Sequence, residues 1–364
     1  MENKKTEQEN KLADARKTIN EVDAALAKLF VQRMDAVADV IAYKMEHGLP
    51  VFDPVREKEV LVRCGDAIDS DAYRPYFVSF MENVMEQSKR YQRSVLFDGT
   101  VGYQGTEGAY AQIALSKLFP SHRAQAFETW QDVFEAVMRD EIGCGVIPFE
   151  NSYTGEVEEV LDLLYRYPVS IREIYDLKIE HCLVAPQGAS IGTIQEVVSH
   201  PQALKQCGGY IKSHGFHATA YVNTALAAEH VAKEADLHKA AIASKETAER
   251  FGLSVLAEKI SESAQNTTRF IVIAKQPANA GNHFSLLFTL RHDAGQLAAV
   301  MQIIAQHGFN MECVRSKAVH DVPWQYYFYV ELEGDASSEQ AKQLFCEMQV
   351  RCTTFRVLGV YYKS

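Results

Sequence analysis

The longest helical pattern in the chain limits what its first part can fold into. From residue 11 to residue 47 apolar or small residues recur at helical spacing, and neither Pro nor Gly interrupts the segment before Gly48. The pattern predicts one helix of about 37 residues, which at 1.5 Å per residue is roughly 55 Å long. Gly48 and Pro50 supply the signal that ends it.

Two shorter helices follow. Asp53 and Pro54 read as an N-cap and a first-turn proline that open a helix to about Cys64. A third helical pattern covers roughly residues 72–96. One long helix and two shorter ones cannot enclose a core of their own, so residues 1–96 are expected to pair with a second copy of the chain.

Residues 99–276 change to short β-rich runs that alternate with helical stretches, as in an α/β domain, and their length allows two lobes with a cleft between them. The G-x-x-G-x-x-G spacing at residues 102–108 matches neither the dinucleotide fingerprint nor a P-loop and predicts a tight strand-to-helix turn. The predicted strands cover residues 100–104, 144–148, 178–185, 196–199, 240–243 and 269–274.

The last part of the chain has a third pattern. A linker rich in Asn, Ala and Gly occupies residues 276–282. Residues 283–364 then alternate strands and helices in the order β-α-β-β-α-β, which predicts a ferredoxin-like α+β fold.

Charge and composition exclude several functional classes. The chain has 48 acidic and 37 basic residues, a net charge of −11, so it is not expected to bind nucleic acid. No apolar run is long enough for a membrane span, and the N-terminus MENKKTEQEN lacks the apolar core of a signal peptide. The 7 cysteines are scattered and form no C-x-x-C pair, which argues against a disulfide framework or a metal site. A cytoplasmic multidomain protein is expected.

Three cations interrupt the apolar stripe of the first helix, namely Arg16, Arg33 and Lys44. At 3.6 residues per turn Lys44 is rotated only about 20° from Arg33, so the two share a face, whereas Arg16 lies about 100° from Arg33. A cation on a core face is costly unless an anion pairs with it. Any one of these side chains could instead extend to water. Three on one stripe without a matching acidic stripe favour an anionic ligand.

Polar residues recur at fixed spacing through all three predicted helices, as Leu12-x-x-x-Arg16, Asp23, Arg33, Lys44, Asp53-x-x-Arg56-Glu57 and Ser88-x-x-x-Gln92. This pattern resembles the all-helical chorismate mutases. The resemblance implies that chorismate is rearranged to prephenate by a pericyclic step, without covalent catalysis or a cofactor. Such a site must hold a dicarboxylate in a compact conformer and stabilise charge on the breaking ether oxygen.

The resemblance also implies a role for each position. Arg33, together with Arg16 from the partner subunit of an interlocked dimer, would bind carboxylates. Lys44 and Gln92 would donate hydrogen bonds to the ether oxygen. Because the Gln92 amide is uncharged at any pH, mutase activity is not expected to require an acidic medium. The pocket mouth would be ordered by Asp53 and Arg56, and the substrate hydroxyl or a carboxylate would be bound by Glu57 and Ser88.

Polar clusters follow several strands of the α/β region, where ligands usually bind in open α/β sheets. For each cluster taken singly, a turn or a helix cap is the alternative. A nucleophile pair of His200 and Cys207 is not expected, because no third group orients it. The clusters are Pro148-Phe-Glu150-Asn151-Ser152, Ser199-His200-Pro201-Gln202, Gln206-Cys207, Asn223-Thr224 and Gln265-Asn266-Thr267-Thr268-Arg269-Phe270.

Taken in this order, the segments resemble prephenate dehydratase across nearly all of residues 99–276, and Thr268-Arg269-Phe270 matches that family's signature. The resemblance implies that prephenate loses carbon dioxide and water to give phenylpyruvate, with Thr268 donating a hydrogen bond or proton to the departing hydroxyl. Arg269 could bind a carboxylate or serve as a structural ion-pair partner. The candidate prephenate-binding residues are Glu150, Asn151, Ser152, Ser199, His200, Gln206, Thr224, Thr268 and Arg269.

A mutase-like helical region followed by a dehydratase-like α/β region resembles the bifunctional mutase–dehydratase proteins of phenylalanine synthesis. In that family the C-terminal region is an ACT domain that binds phenylalanine at a dimer interface. Where that family has Gly-Ala-Leu-Val and Glu-Ser-Arg-Pro, this chain has Gly295-Gln296-Leu297-Ala298 and Arg315-Ser316-Lys317-Ala318. His320 and Pro323-Trp324 match the family's continuation. Feedback by phenylalanine is therefore expected, with a purely structural dimerisation role as the alternative. The candidate regulatory positions are Gly295, Leu297, Arg315 and Ser316.

The sequence thus predicts three domains. They are an all-α mutase domain at residues 1–96, a two-lobed α/β dehydratase domain resembling periplasmic binding proteins at 99–276, and a ferredoxin-like regulatory domain at 283–364. The expected partners are chorismate, prephenate and L-phenylalanine in a homodimer or higher oligomer, without a metal, a cofactor, nucleic acid or a membrane. Two alternatives stand beside this hypothesis: an amino-acid-sensing binding protein, and an active mutase with an inactive dehydratase domain.

Overall fold

The computed structural model describes residues 2–47, 49, 51–96, 99–263, 265–319, 322 and 324–363, with the backbone alone for residues 2–10, 94 and 96. The chain divides into two compact units. The helical unit comprises Met1–His47 and Arg56–Leu96, and the sheet unit comprises Gly48–Val55 and Phe97–Ser364. Within the described residues, no helix combines the length and the apolar character needed to cross a membrane.

Three helices occupy the N-terminal part of the chain: α1 (Glu2–His47), α2 (Pro54–Asp66) and α3 (Arg74–Leu96). The long helix and the proline start of the second are confirmed, and α1 begins earlier than the apolar pattern does. The third helix is also confirmed, and it starts at Arg74, close to the expected residue 72, after a turn in which Arg74 N donates to Ser70 O at 3.0 Å.

In the helical unit α1 packs against α3. This packing leaves the N-terminal half of α1 uncovered, since every residue from 11 to 30 is exposed. The large apolar side chains in this range are between 41% and 59% exposed. They are Leu12, Ile19, Val22, Leu26, Leu29 and Phe30.

The remaining elements follow in chain order. The strands are β1 (Thr100–Gln104), β2 (Arg123–Phe127), β3 (Cys144–Asn151), β4 (Gly155–Glu156), β5 (Ser170–Lys178), β6 (Cys182–Ala185), β7 (Glu196–Ser199), β8 (His217–Ala220), β9 (Lys239–Ala243), β10 (Ser254–Ala257), β11 (Thr267–Ala274), β12 (His283–Thr289), β13 (Asn310–Ala318), β14 (Tyr326–Glu333) and β15 (Thr354–Tyr361). The helices are α4 (Tyr110–Leu118), α5 (Trp130–Met138), α6 (Glu158–Arg166), α7 (Pro201–Gln206), α8 (Gly208–His214), α9 (Thr224–Glu234), α10 (Lys245–Phe251), α11 (Gln296–Gln306) and α12 (Glu339–Arg351).

The strands form two sheets. The larger has the order β13-β14-β12-β15-β5-β11-β3-β1-β2, with β4 paired to β3, and the smaller has the order β10-β6-β9-β7-β8. The smaller sheet packs between two clusters of buried apolar residues. Residues 99–276 therefore contain two lobes, with β1–β5 and β11 in the first lobe and β6–β10 in the second.

One predicted strand is wrong and several strands were missed. The run at residues 178–185 is not one strand, because the chain leaves the first sheet after Lys178 and enters the second at Cys182. Strands β2, β8 and β10 lie at sheet edges and are largely exposed or half-buried. Strands of this kind need no continuous apolar pattern, so the sequence does not reveal them. The predicted strand-to-helix turn at residues 102–108 is confirmed, with positive φ at Gly105 and Gly108 before α4.

The C-terminal elements confirm the predicted β-α-β-β-α-β order. Their four strands lie in the order β13-β14-β12-β15, and β15 runs parallel to β5 of the first lobe, so the two regions share one sheet. Gly359 allows this join, because a Cβ there would lie 2.4 Å from the backbone oxygen of Ile171. Tyr327, Tyr329 and Leu358 extend the buried core of the first lobe.

Candidate active sites

The chain crosses between the two sheets twice, and the crossings are hydrogen-bonded to each other. β5 leads into β6 through residues 179–181, and β10 leads into β11 through residues 258–266. Ile179 N donates to Asn266 O at 2.8 Å. The side chains of His181 and Asn266 are buried at these crossings, 3% and 2% exposed, and buried polar groups need partners.

Asn151, the last residue of β3, bonds to Thr268 on the neighbouring strand β11. Its Nδ2, which carries two hydrogens, lies 2.9 Å from Asn266 Oδ1 and 3.0 Å from Thr268 Oγ1, and the more distant Thr267 O is 3.2 Å away. Its Oδ1 accepts from the backbone N–H groups of Tyr153 at 3.0 Å and Thr154 at 3.1 Å. Because a backbone N–H only donates, these two bonds determine which end of the amide is oxygen. The Asn151 NH₂ group therefore faces Thr268, whose oxygen accepts.

The same reasoning extends the network into the second lobe. Asn266 Oδ1 accepts from Asn151, so its Nδ2 donates to Gln206 Oε1 at 3.1 Å. That oxygen then accepts from His181 Nε2 at 2.8 Å, which leaves His181 Nδ1 to accept from the Tyr110 hydroxyl at 2.9 Å. Burial lowers the pKa of His181, which favours the neutral form of its ring.

The direction of these bonds decides what Thr268 can do. Its oxygen accepts from Asn151, and the network takes no proton from it. The hydroxyl hydrogen of Thr268 is therefore available for a group outside the network. The Thr268 hydroxyl is thus a neutral hydrogen-bond donor, and its oxygen is held by Asn151, the first member of a buried chain of amides that ends at an imidazole.

Two of the other predicted residues bond to backbone groups. Ser199 is fully buried, and its Oγ donates to Ile242 O at 2.7 Å. Ser152 Oγ donates to Gln265 O and accepts from Thr267 N, each at 3.0 Å, which ties the end of β3 to the second crossing.

Two further predicted residues lie at helix N-termini of the second lobe. His200 caps α7 by accepting from Gln202 N at 3.3 Å, and burial lowers the pKa of its imidazole. Thr224 opens α9 directly after its N-cap Asn223, whose side-chain Oδ1 accepts from Leu226 N at 2.7 Å. Helix N-termini of this kind attract carboxylates.

Glu150 and Arg269 lie in ion pairs at the same end of the first sheet. Arg269 makes a two-pronged contact with Asp176, at 2.9 and 3.1 Å, and its Nη1 lies 3.9 Å from Glu150 Oε2. These contacts raise the pKa of Arg269 despite its partial burial. The Glu150 carboxylate is also 2.9 Å from Arg315 of β13. Both Arg269 alternatives, ligand binding and structural pairing, stay predictions.

In the helical unit the structure joins two predicted mutase residues. Arg33 of α1 donates from Nη1 to Ser88 Oγ of α3, and Ser88 is 4% exposed. Gln92 lies one turn further along α3, is 7% exposed, and its Oε1 has no hydrogen-bond partner among the described residues. Glu57 of α2 pairs with Lys89 of α3 at 3.2 Å.

The other mutase candidates are more dispersed. Lys44 is half-buried near the end of α1, and Arg16 is exposed in its N-terminal half. Along one helix Arg16 is about 26 Å from Arg33, too far for both to bind one small substrate. Arg56 is exposed and pairs with Glu59 at 3.1 Å. Asp53 is half-buried just before α2.

Comparison with known proteins decides the family. The prephenate dehydratase sequence family matches residues 101–278, and the family of chorismate mutase type II matches residues 15–93. A bifunctional chorismate mutase/prephenate dehydratase of Escherichia coli strain K12 is 28% identical, over 97% of this chain and 96% of that protein. An arogenate dehydratase/prephenate dehydratase 2 of Arabidopsis thaliana is 33% identical, over 72% of each chain. This chain belongs to the prephenate dehydratase family.

A solved structure agrees with this assignment at the level of the fold. The prephenate dehydratase of Arthrobacter aurescens in complex with L-Phe is 23% identical, covers 72% of this chain and 90% of its own, and superimposes with a TM-score of 0.67. The chain thus carries a prephenate dehydratase domain and, in its helical part, a chorismate mutase domain.

Sequence reasoning missed two residues of the hydrogen-bond network that ends at Thr268, namely Tyr110 and His181. His181 lies inside the run predicted as one strand, and a Glu180-His181 pair there was the available signal of an interruption. Tyr110, the first residue of α4, follows the glycine turn and offered no signal of its own.

The predicted regulatory positions occupy two elements of the C-terminal region. Gly295 has a φ of 80° directly before α11, and Leu297 lies on α11, 38% exposed. On β13 the side chains alternate, so Arg315 is half-buried and Ser316 is exposed. His320 and Pro323 lie outside the described residues, whereas Trp324 is described and 78% exposed. These positions stay predictions.

Proposed function

We propose that the chain is a bifunctional enzyme of phenylalanine synthesis. Its helical domain, residues 1–96, rearranges chorismate to prephenate, and its α/β domain, residues 99–276, converts prephenate to phenylpyruvate. The observation that carries the second activity is the bond from Asn151 to Thr268, because it leaves the Thr268 hydroxyl as a hydrogen-bond donor. The Arg33–Ser88 contact across two helices supports the first activity.

The dehydratase step needs positioning more than strong acid. As the ring carboxylate leaves as carbon dioxide, the electron pair of the broken C–C bond makes the ring aromatic and expels the ring hydroxyl as hydroxide, which a proton from solvent converts to water. Thr268 donates to this hydroxyl, and Asn151 holds its oxygen. A lone threonine is a weak acid, so the gain in aromaticity supplies the driving force and the buried network supplies the geometry.

The residues around Thr268 come from both lobes. Gln202 Nε2 of the second lobe donates to Thr154 Oγ1 of the first at 3.2 Å, beside Asn151. Prephenate carries two carboxylates, and the N-terminus of the eleven-residue helix α9 at Thr224 is suited to bind one of them. His200, which caps the short helix α7, is proposed to line the same site. Glu150, Ser152, Ser199 and Gln206 complete the proposed site, several of them by holding backbone or amide groups in place.

The mutase step requires no proton transfer. Arg33 binds a carboxylate of chorismate, and Lys44 and Gln92 donate to the ether oxygen as negative charge develops there. The Gln92 side chain is buried, and its Oε1 has no hydrogen-bond partner among the described residues, so the amide is not held by other side chains and can turn its NH₂ group to a ligand. Asp53, Arg56, Glu57 and Ser88 are proposed to close and line the pocket.

A second copy of the chain completes the mutase site. The exposed apolar stripe at the N-terminal half of α1 would be covered by the partner's helices, as a soluble chain rarely leaves such a stripe in water. Arg16 would then reach the partner's pocket, which the distance of about 26 Å along α1 forbids within one chain.

The C-terminal region, residues 283–364, is proposed to be an ACT domain that binds L-phenylalanine and inhibits the dehydratase. Its β-α-β-β-α-β order supports this, as does the L-Phe complex of a structural relative. The candidate contacts are Gly295, Leu297, Arg315 and Ser316. Calorimetry that finds no binding at millimolar L-phenylalanine would remove this part of the proposal.

One assay tests both activities. Purified protein is mixed with chorismate, and prephenate and phenylpyruvate are followed together. Thr268→Ala should abolish phenylpyruvate and leave prephenate formation intact, whereas Arg33→Ala should stop chorismate consumption but still convert added prephenate. Accumulation of prephenate by the wild-type chain would indicate an active mutase beside an inactive dehydratase, and turnover of neither substrate would favour an amino-acid-sensing protein.

A further inference from the structure

β13 of the C-terminal region presents an arginine to the dehydratase domain. Arg315 Nη2 lies 2.9 Å from Glu150 Oε2, and its Nε lies 3.3 Å from Glu156 Oε2. Its guanidinium carbon is 4.8 Å from the centre of the Phe149 ring and 5.7 Å from that of Tyr329. The side chain is only 13% exposed, so one cation from the C-terminal region is packed between two carboxylates and two aromatic rings.

The two carboxylates lie opposite each other in a short hairpin. Glu150 of β3 and Glu156 of β4 are paired in register. Like charges directly opposite each other on neighbouring strands are destabilising. Arg315 contacts both and offsets their repulsion. Arg269 is a weaker partner for Glu150, at 3.9 Å, because its guanidinium Nε and Nη2 already donate to the carboxylate of Asp176.

This hairpin carries the group that orients the Thr268 hydroxyl. Asn151 follows Glu150 directly and pairs with Gly155 across the hairpin. The turn between them is held by the bonds from Tyr153 N and Thr154 N to Asn151 Oδ1. On its other side β3 is paired with β11, with Asn151 opposite Thr268, so the backbone of Asn151 is held there. An opening of the hairpin at Glu150 would therefore act on the side chain, because it would disturb the turn whose two N–H groups orient the Asn151 amide.

We infer that Arg315 is a positioning residue of the dehydratase site, which holds the Glu150–Glu156 hairpin closed and so keeps Asn151 aligned with Thr268. The inference rests on the proposed dehydratase function. It assigns to the C-terminal region a structural part in the reaction itself. In the dehydratase reaction Arg315 touches no reacting atom and acts through the hairpin, so the prephenate assay is run without L-phenylalanine, for which Arg315 is also a candidate contact.

The test compares full-length variants in the prephenate assay. Arg315→Gln should lower the dehydratase kcat about tenfold, with KM within about twofold, because small displacements of an aligned group are costly. The rearrangement of chorismate by the same chain should be unchanged. The amides of Tyr153 and Thr154 should exchange with solvent about tenfold faster, as measured by hydrogen exchange with mass spectrometry.

A rescue separates positioning from general damage. Glu156→Gln removes the opposing charge, so it should restore most of the lost kcat and amide protection when added to Arg315→Gln. The matched control is Lys317→Gln on the same face of β13, which loses a 2.5 Å contact with Asp162 of α6 but none with the hairpin. It should leave kcat and the exchange of both amides unchanged.

The outcomes are distinguishable. Unchanged kcat and exchange in Arg315→Gln, losses shared equally by Lys317→Gln, or no recovery with Glu156→Gln would each overturn the inference while the proposed function stands. A wild-type chain that forms no phenylpyruvate would instead refute the proposed function. The exchange measurement would then still show whether Arg315 holds the hairpin.

Discussion

Asn151 donates from Nδ2 to Oγ1 of Thr268 over 3.0 Å, and this bond determines the chemistry open to the threonine. A threonine whose oxygen accepts has its own hydrogen left to give. Two backbone N–H groups donate to the Asn151 amide oxygen, so the oxygen and nitrogen ends of this amide are assigned without ambiguity. The direction of the bond to Thr268 follows from that assignment.

Reversal of this bond should slow the dehydratase strongly. In Asn151→Asp a carboxylate replaces the NH₂ group, so Thr268 donates to it and loses the hydrogen it offers the substrate. We expect the dehydratase kcat to fall by about 100-fold, within the usual range for a proton-donating group. The assay is phenylpyruvate formation from prephenate, and mutase activity of the same sample serves as the control for folding. A rate within threefold of wild type would show that the bond direction is unimportant.

The free energy of unfolding of the sheet unit should fall as the pH decreases below 6.5, the ordinary pKa of a histidine side chain. Burial lowers the pKa of His181 and of His200, so the unfolded chain takes up these protons first and is favoured as the pH falls. We expect the urea midpoint to decrease between pH 7.5 and pH 5.5, above the range where carboxylates titrate.

Tryptophan fluorescence follows this transition, since Trp130 and Trp324 both lie in the sheet unit. His181→Gln removes one of the two groups and should flatten the pH dependence. An equally steep dependence in that variant would mean that His181 does not titrate in this range.

The mutase site should be shared between two chains. Arg16→Ala and Arg33→Ala are each expected to be inactive as mutases. In a mixed dimer one site receives Arg33 from one chain and Arg16 from the other, and the second site receives neither. After unfolding and refolding together, the mixture should regain about a quarter of the wild-type mutase rate. Each variant refolded alone is the control, and a mixture that stays inactive would refute a shared site.

The join between β15 and β5 should tolerate no side chain at Gly359. In Gly359→Ala the new Cβ would meet the backbone oxygen of Ile171 at 2.4 Å. We expect the free energy of unfolding of the sheet unit to fall by about 1–3 kcal/mol. Gly192→Ala is the matched control, because a Cβ there has nothing within 4 Å, and its stability should stay within about 0.5 kcal/mol of wild type. Equal stability of the two variants would show that the strands separate easily at this point.

Regular periodicity made much of the architecture predictable. α1 was predictable because a long amphipathic pattern without Pro or Gly has few other solutions. The strands of the C-terminal region were also predictable, since each is a run of apolar residues interrupted by polar ones, although only β13 alternates in burial and β12 is buried throughout. The edge strands β2, β8 and β10 were not, since little of their surface is buried.

The candidate dehydratase site was predictable only in part. Asn151, Gln206 and Thr268 were named from polar clusters at strand ends, and the structure joins them into one network. His181 was missed because its partners Gln206 and Tyr110 are distant in sequence. A buried imidazole inside an apolar run looks the same in a sequence whether it is a core residue or part of a site.

The sequence by itself determined the elements and the residue types that suit the proposed chemistry, because periodicity and local motifs act over a few residues. Only the tertiary structure decided which way each hydrogen bond runs from Asn151 to Tyr110, since direction depends on donors from both lobes. It alone placed Arg315 between Glu150 and Glu156, because that contact exists only where the sheet continues from the dehydratase domain into the C-terminal region. Long-range contacts of this kind leave no trace in the spacing of residues along one chain.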